Sequence, residues 1–219
     1  MKSPASGSRA GFTLIEILVA VAIIAVLAAA VIAVIPQWKL VSQRAASLSN
    51  MRQVGMGFQL YAGEHDYALP GRTTGTMDRW PRLLLPYLNN DPRVYAQPGD
   101  PNNYISRGVD PLYNQGNNTS YIMNGYNDAG ALNDPSFVPR INLVQRPGQL
   151  ILLGTPNGGS RHYYMDMLEG AVGNHISVLN LEAYNGGANY LFADGSARFL
   201  KKSDYDARMW LINSEFVVP

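Results

Sequence analysis

An unbroken apolar stretch stands first in the chain. Phe12 to Ile35, FTLIEILVAVAIIAVLAAAVIAVI, runs for 24 residues and carries a single charge, Glu16. About 20 apolar helical residues span a bilayer's hydrocarbon core, so the run predicts a transmembrane helix over 12–35. Beyond Pro36 the pattern turns amphipathic. Trp38, Val41, Ala45, Leu48, Met51, Val54, Phe58 and Tyr61 recur at steps of three and four. Lys39, Gln43, Ser47, Asn50 and Gln53 fall on other faces. That spacing predicts a helical continuation over 36–62, with its apolar stripe laid on a sheet. Pro36 has no amide proton and predicts a kink near Ala33 to Pro36. Gly55 and Gly57 either weaken the helix or admit a close neighbour. A helix from Phe12 to Ala62 is about 75 Å long, more than a single small domain buries. Its first half therefore needs lipid or other copies of the chain.

From Gly63 onward the pattern is that of a turn-rich body. Twelve prolines lie between Pro70 and Pro219. Trp80 to Leu88 predicts a short helix between prolines, and Asn89 to Asn118 predicts long polar loops. Leu150 to Leu153 is a brief apolar strand, and His175 to Leu181 alternates weakly enough to suggest another. The clearest local signal is a hairpin. Ala188 to Ala193 and Ser196 to Leu200 flank Asp194-Gly195, a pair suited to the two positive φ angles of a type I′ turn. In that register Phe192 faces Ala197 and Tyr190 faces Phe199, on an apolar side predicted to meet the long helix. Leu191 and Arg198 take the other side. The expected fold is α+β: one long N-terminal helix, its outer half packed on an antiparallel sheet with extended loops, the body occupying 63–219.

Composition narrows the function. Charged residues are 15% of 219 and apolar ones 47%, which speaks against disorder over most of the chain. A formal net charge of +1 offers no global basic field for nucleic acid, and none is expected as a partner. The absence of cysteine excludes disulfides, cysteine nucleophiles and cysteine-bound zinc. The charge is unevenly spread. Residues 37–62 hold Lys39, Arg44 and Arg52 and no acid. From Gly63 onward, 12 Lys and Arg meet 15 Asp and Glu, a net charge of −3. The basic helix segment thus suits the acidic body of another copy.

Glu16 is the residue that a plain anchor does not explain. A carboxylate inside an apolar helix costs about 2.5–3.5 kcal/mol on insertion scales. No Lys or Arg stands one turn away, at Phe12, Thr13, Val19 or Ala20. A cleaved secretory signal ending at Ala28-Ala29-Ala30 is the rival reading, but its apolar core usually has only about 7–15 residues. A cut between Gly11 and Phe12 creates an α-ammonium four residues before Glu16. The carboxylate then reaches its own terminus, or that of a staggered neighbour. The second option makes Glu16 an assembly device.

Gly11-Phe12-Thr13-Leu14-Ile15-Glu16 resembles the processing site of type IV pilins and type II secretion pseudopilins. That family has a short basic leader ending in Gly, then Phe, then Glu four residues later, then a long apolar helix. The resemblance implies cleavage after Gly11 by a membrane-embedded prepilin peptidase, which also methylates the amine of Phe12. It implies a Glu16–Phe12 contact between subunits, an inner-membrane assembly platform, and lipid around the helix before assembly. Lys2 and Arg9 before the span are balanced by Lys39, Arg44 and Arg52 after it. The orientation, 1–11 in the cytoplasm and 63–219 outside it, therefore follows from the resemblance. So does the final place in a periplasmic or surface filament. Asn50 to Gly55, Tyr61-Ala62 and Ala68-Leu69-Pro70 are similar to a pseudopilin-like group that also carries His, nine residues, then Asp-Gly. Gly186 to Gly195 matches that signature, but Tyr184 stands at the His position, and Gln97 precedes Pro98 where the group often has Cys.

Little catalytic chemistry is visible. His65, His162 and His175 lack metal-ligand spacing. No Gly-x-Ser-x-Gly elbow, phosphate loop or dinucleotide fingerprint is present. Asp194 and Gly195 read as structural turn residues. Asp204 and Asp206 flank Tyr205 and read first as a solvated turn; a calcium site, such as classical major pseudopilins have near the C-terminus, is the alternative, without an EF-hand loop. No other cofactor or metal is expected. Asn117 and Asn118 begin sequons that mark a surface loop. The work expected is assembly rather than catalysis. The alternative is an anchored extracytoplasmic enzyme or ligand-binding protein that uses the helix only as a tether.

Overall fold

The computed structural model describes residues 12–71, 79–100, 119–125, 139–158, 162–165 and 177–211. Gly11 and the rest of the expected leader, Asn117, Asn118 and His175 lie outside these residues. The architecture is α+β. The chain divides into two compact units, Met1–Leu40 and Val41–Pro219. Helix α1, Leu14–Glu64, contributes to both.

In the first unit the apolar side chains of α1 are exposed, Leu14 at 83%, Ile24 at 64% and Ile32 at 67% among them. By length and composition α1 is the one helix, among the described residues, suited to crossing a membrane. The helix is assigned without a break through Pro36. The missing amide proton there removes a backbone hydrogen bond but does not end the element.

In the second unit α1 buries a stripe of Ser47, Met51, Val54, Phe58 and Ala62. The apolar stripe read from the sequence starts earlier than the buried one. Val41 is 57% exposed and Ala45 is also exposed, because burial against the body begins only at Ser47. Gly55 and Gly57 are sites of close approach. A Cβ at Gly55 would lie 2.8 Å from Leu191 Cδ1, and one at Gly57 3.1 Å from Leu88 Cδ2. The helix propensity lost at each glycine, about 0.5–1 kcal/mol, is offset by contact that a side chain would block.

Five strands form one sheet: β1 Ile122–Asn124, β2 Ile151–Gly154, β3 Tyr164–Met165, β4 Gly187–Phe192 and β5 Ala197–Lys201, in the order β3-β1-β2-β4-β5. The expected antiparallel sheet is in fact mixed, because β1 and β3 pair parallel, Met123 opposite Tyr164 and Asn124 opposite Met165. His175 to Leu181 is not a strand where it is described: Ser177 and Val178 are helical, and Leu179 makes a single bridge to Pro156. Trp80–Leu84 forms α2, continued by a 3-10 turn over Leu85–Leu88.

The hairpin lies where the pattern places it, but with another turn and another register. Gly195 N–H donates to Phe192 O at 2.9 Å, and Phe192 N–H to Ser196 O at 2.9 Å. Gly195 has φ +82°, while Asp194 is not left-handed. The connection is thus a three-residue loop, a turn followed by a glycine bulge, rather than a two-residue type I′ turn. Leu191 now pairs with Ala197, Tyr190 with Arg198 and Asn189 with Phe199. The one-residue shift puts Ala197 on the same face as Leu191 rather than Phe192. Leu191, Ala193 and Ala197 pack with Met51, Val54 and Phe58 of α1, and Tyr190 and Phe192 do not. Those two join Ile122, Ile151, Leu179 and Trp210 in a second core on the far face. Both faces are covered, and this is why all six residues of β4 are buried.

Two turns of the same design close the edges. Asp91 and Asp206 precede the 3-10 turns Pro92–Tyr95 and Ala207–Trp210. Each accepts the backbone N–H two residues on, at 3.0 and 2.8 Å, and pairs with that residue's guanidinium, Arg93 or Arg208. Tyr95 and Trp210 at the turn ends are fully buried. Hydrogen bonds from the guanidinium hold both carboxyls below their ordinary range. A carboxyl depressed in the folded state adds stability above its unfolded pKa of about 4, and that stability is lost as pH falls through the folded value. Asp206→Asn keeps a capping oxygen and loses the ion pair. It is expected to lower Tm by about 1–3 °C at pH 7, and by nothing measurable at pH 2. Thermal scans of the two proteins at both pH values check this.

Candidate processing and assembly site

Phe12 and Thr13 precede α1, and Phe12 is 85% exposed. Thr13 is the cap of the helix. Thr13 N–H and Thr13 Oγ1 each donate to Glu16 Oε2 at 2.8 Å, and Glu16 N–H returns a bond to Thr13 Oγ1 at 3.3 Å. Ile17 N–H donates to Thr13 O at 3.3 Å. This is a capping box, in which two otherwise orphaned backbone donors are satisfied reciprocally.

Glu16 has no cationic partner one turn away, but it does have a neutral one. A neutral partner stands three residues back, in the same chain. The signal was present in the sequence as Thr13-x-x-Glu16 before an apolar run. The box supplies hydrogen bonds but no charge, and it uses one carboxylate oxygen. Oε1 of Glu16 carries no hydrogen bond among the described residues. The first turn of α1 thus presents an anionic oxygen beside an exposed Phe12, at the end of a helix whose apolar surface is uncovered. A cation brought there is attracted by this oxygen.

A separate set of polar groups fastens the outer half of α1 to the body. Asn189 Nδ2 donates to Arg44 O at 3.0 Å, Asn50 Nδ2 to Ala96 O at 2.9 Å, and Gln59 Nε2 to Ala193 O at 3.2 Å. Buried Ser47 and Tyr121 bring their hydroxyls to 3.4 Å, and the Arg44 guanidinium lies 4.7 Å from the centre of the Phe199 ring. None of these long-range bonds has a local sequence signal. Tyr184, at the position of the group's His, has a buried hydroxyl near Ser47, and burial pushes its pKa up to about 12. Gln97, at the position of the group's Cys, accepts from Thr155 Oγ1 at 3.0 Å.

Asp194 accepts from Ser196 N–H at 2.8 Å and Ser196 Oγ at 2.6 Å, so its carboxylate braces the β4–β5 loop, and Gly195 supplies the left-handed residue. Asp206 is engaged by Arg208, and Asp204 accepts from Ser203 Oγ at 2.8 Å. His65 stacks on Tyr61 with ring centres 4.0 Å apart. Among the described residues, no three His, Asp or Glu side chains are grouped to hold a metal ion.

Residues 7–32 match the family described as the prokaryotic N-terminal methylation motif. No curated protein and no solved structure matches the chain.

Proposed function

We propose that this chain, which carries the prokaryotic N-terminal methylation motif over residues 7–32 as type IV pilin-like precursors do, is the precursor of a filament subunit. A prepilin peptidase cuts after Gly11 and methylates the new amine of Phe12. The mature subunit is held in the inner membrane by residues 12–35 with its body outside the cytoplasm. It then leaves the bilayer to join other copies, or related subunits, in a type IV pilus-like or type II secretion pseudopilus filament. The work is structural. Apolar side chains of α1 exchange lipid for neighbouring copies, so close packing between helices, rather than removal from water, holds them together.

The motif match is the observation that carries this reading. The free Oε1 of Glu16 supports the pairing step: it accepts the methylated ammonium of a neighbour's Phe12, while Oε2 stays in the capping box. The test is the mass of the mature protein. The expected N-terminus is Phe12 with about 14 Da added, one methyl group. A protein that still starts at Met1, or that starts beyond Ala30, refutes the processing.

A further inference from the structure

We propose that an open groove between α1 and the β4–β5 loop receives Trp38 and Lys39 of a second copy of this chain. The inference rests on the filament reading and names a partner surface for it. The groove has a volume of about 390 Å³ and is lined by Gly55, Met56, Gln59, Leu60, Asp194 and Gly195. Gly195 contributes no side chain to it, and Gly55 lies close against Leu191 and the Gly195 carbonyl. Met56 and Leu60 form apolar walls, 59% and 55% exposed. Asp194 supplies charge at the rim. Its Oδ1 is taken by Ser196, and Oδ2 carries no hydrogen bond among the described residues.

The occupant must be a flat apolar group next to a cation. Trp38 is 74% exposed, whereas the other two tryptophans, Trp80 and Trp210, are fully buried. Lys39 follows it, exposed and in no ion pair among the described residues. An indole suits a groove with a thioether wall. The lysine stem lies along apolar surface while its ammonium reaches a carboxylate. Residues 37–62 contain no acid, so nothing beside Lys39 on its own segment repels Asp194. Every copy carries both the Trp38-Lys39 pair and the groove. The contact is therefore heterologous, and such a contact propagates into an open polymer unless its rotation closes a ring.

The natural chain has no cysteine, so introduced pairs report the contact without background. Lys39→Cys is combined with Gln59→Cys, and separately with Asp194→Cys, in the full-length chain. Cells that process it are oxidised, and sheared filaments are run on non-reducing gels. A ladder of two, three and more chains is expected, about tenfold stronger than from any single-cysteine variant, and Trp38→Ala weakens it about tenfold. The Lys39–Gln59 pair suffices, since Asp194 also braces its loop. A disulfide within one chain, or filaments containing the variants without a ladder, overturns the groove contact alone. An unprocessed wild-type chain missing from sheared filaments overturns the filament reading and this contact together.

Discussion

Phe58→Ala costs about 3–5 kcal/mol of folding stability, the range for removing a large aromatic side chain from a packed core. Phe58 has no exposed surface, and its ring stacks on Trp80 with centres 6.1 Å apart. It joins α1 to the core that also holds Met51, Val54, Leu191 and Ala197. Small domains have about 5–15 kcal/mol in total, so the variant loses a large part of its margin. Met56→Ala, two residues away on the 59% exposed side, changes stability by less than about 0.5 kcal/mol. Urea unfolding of the detergent-solubilised chain, followed through the buried tryptophans, checks both. Equal midpoints for the two variants contradict the assignment of the buried face.

On the proposed pairing, Glu16→Ala reduces incorporation into filaments by more than about 100-fold, since a neighbour's ammonium is left unpaired among apolar helices, a loss of about 3–5 kcal/mol in such settings. The capping box makes a single substitution ambiguous, because alanine also removes the bonds to Thr13. Glu16→Gln separates the two roles. The amide oxygen still accepts from Thr13, but the charge is gone. Pairing with a methylated terminus predicts that Gln fails as Ala does, and that Thr13→Ala, which loses a cap worth about 1 kcal/mol, is far milder. Counting each variant in sheared filaments against its membrane pool decides. If Gln assembles normally, capping is the role of Glu16 and the charge pairing is rejected.

The helix start is locally encoded. Thr13-x-x-Glu16 before an apolar run is the pattern of a capping box, and the neutral Thr13 hydroxyl and amide reach the carboxylate within one turn. Ser47 shows the opposite case. It lies among polar positions by pattern, yet it is fully buried, because Tyr121 sits opposite it. That pairing joins residues 74 apart and leaves no periodic trace. Tyr190 and Phe192 are apolar by composition, and which core they enter depends on which face of β4 packs on α1, a tertiary choice. Asp-Gly is compatible with a two-residue and a three-residue loop, and the added residue decides that Ala197 lies on the face of Leu191 rather than that of Phe192.

Local physics was enough for the long apolar helix, the place of the hairpin and the α+β class. Each of these depends on residues within a few turns of one another, so period and composition carry it, whereas the methylation motif over residues 7–32 is legible only as a resemblance. The parallel pairing of β1 with β3, the strand order, the second core and the groove beside Met56 depend on which distant segments meet. A strand buried on both faces has no alternation to reveal its partners, and those partners were chosen by packing across the whole body.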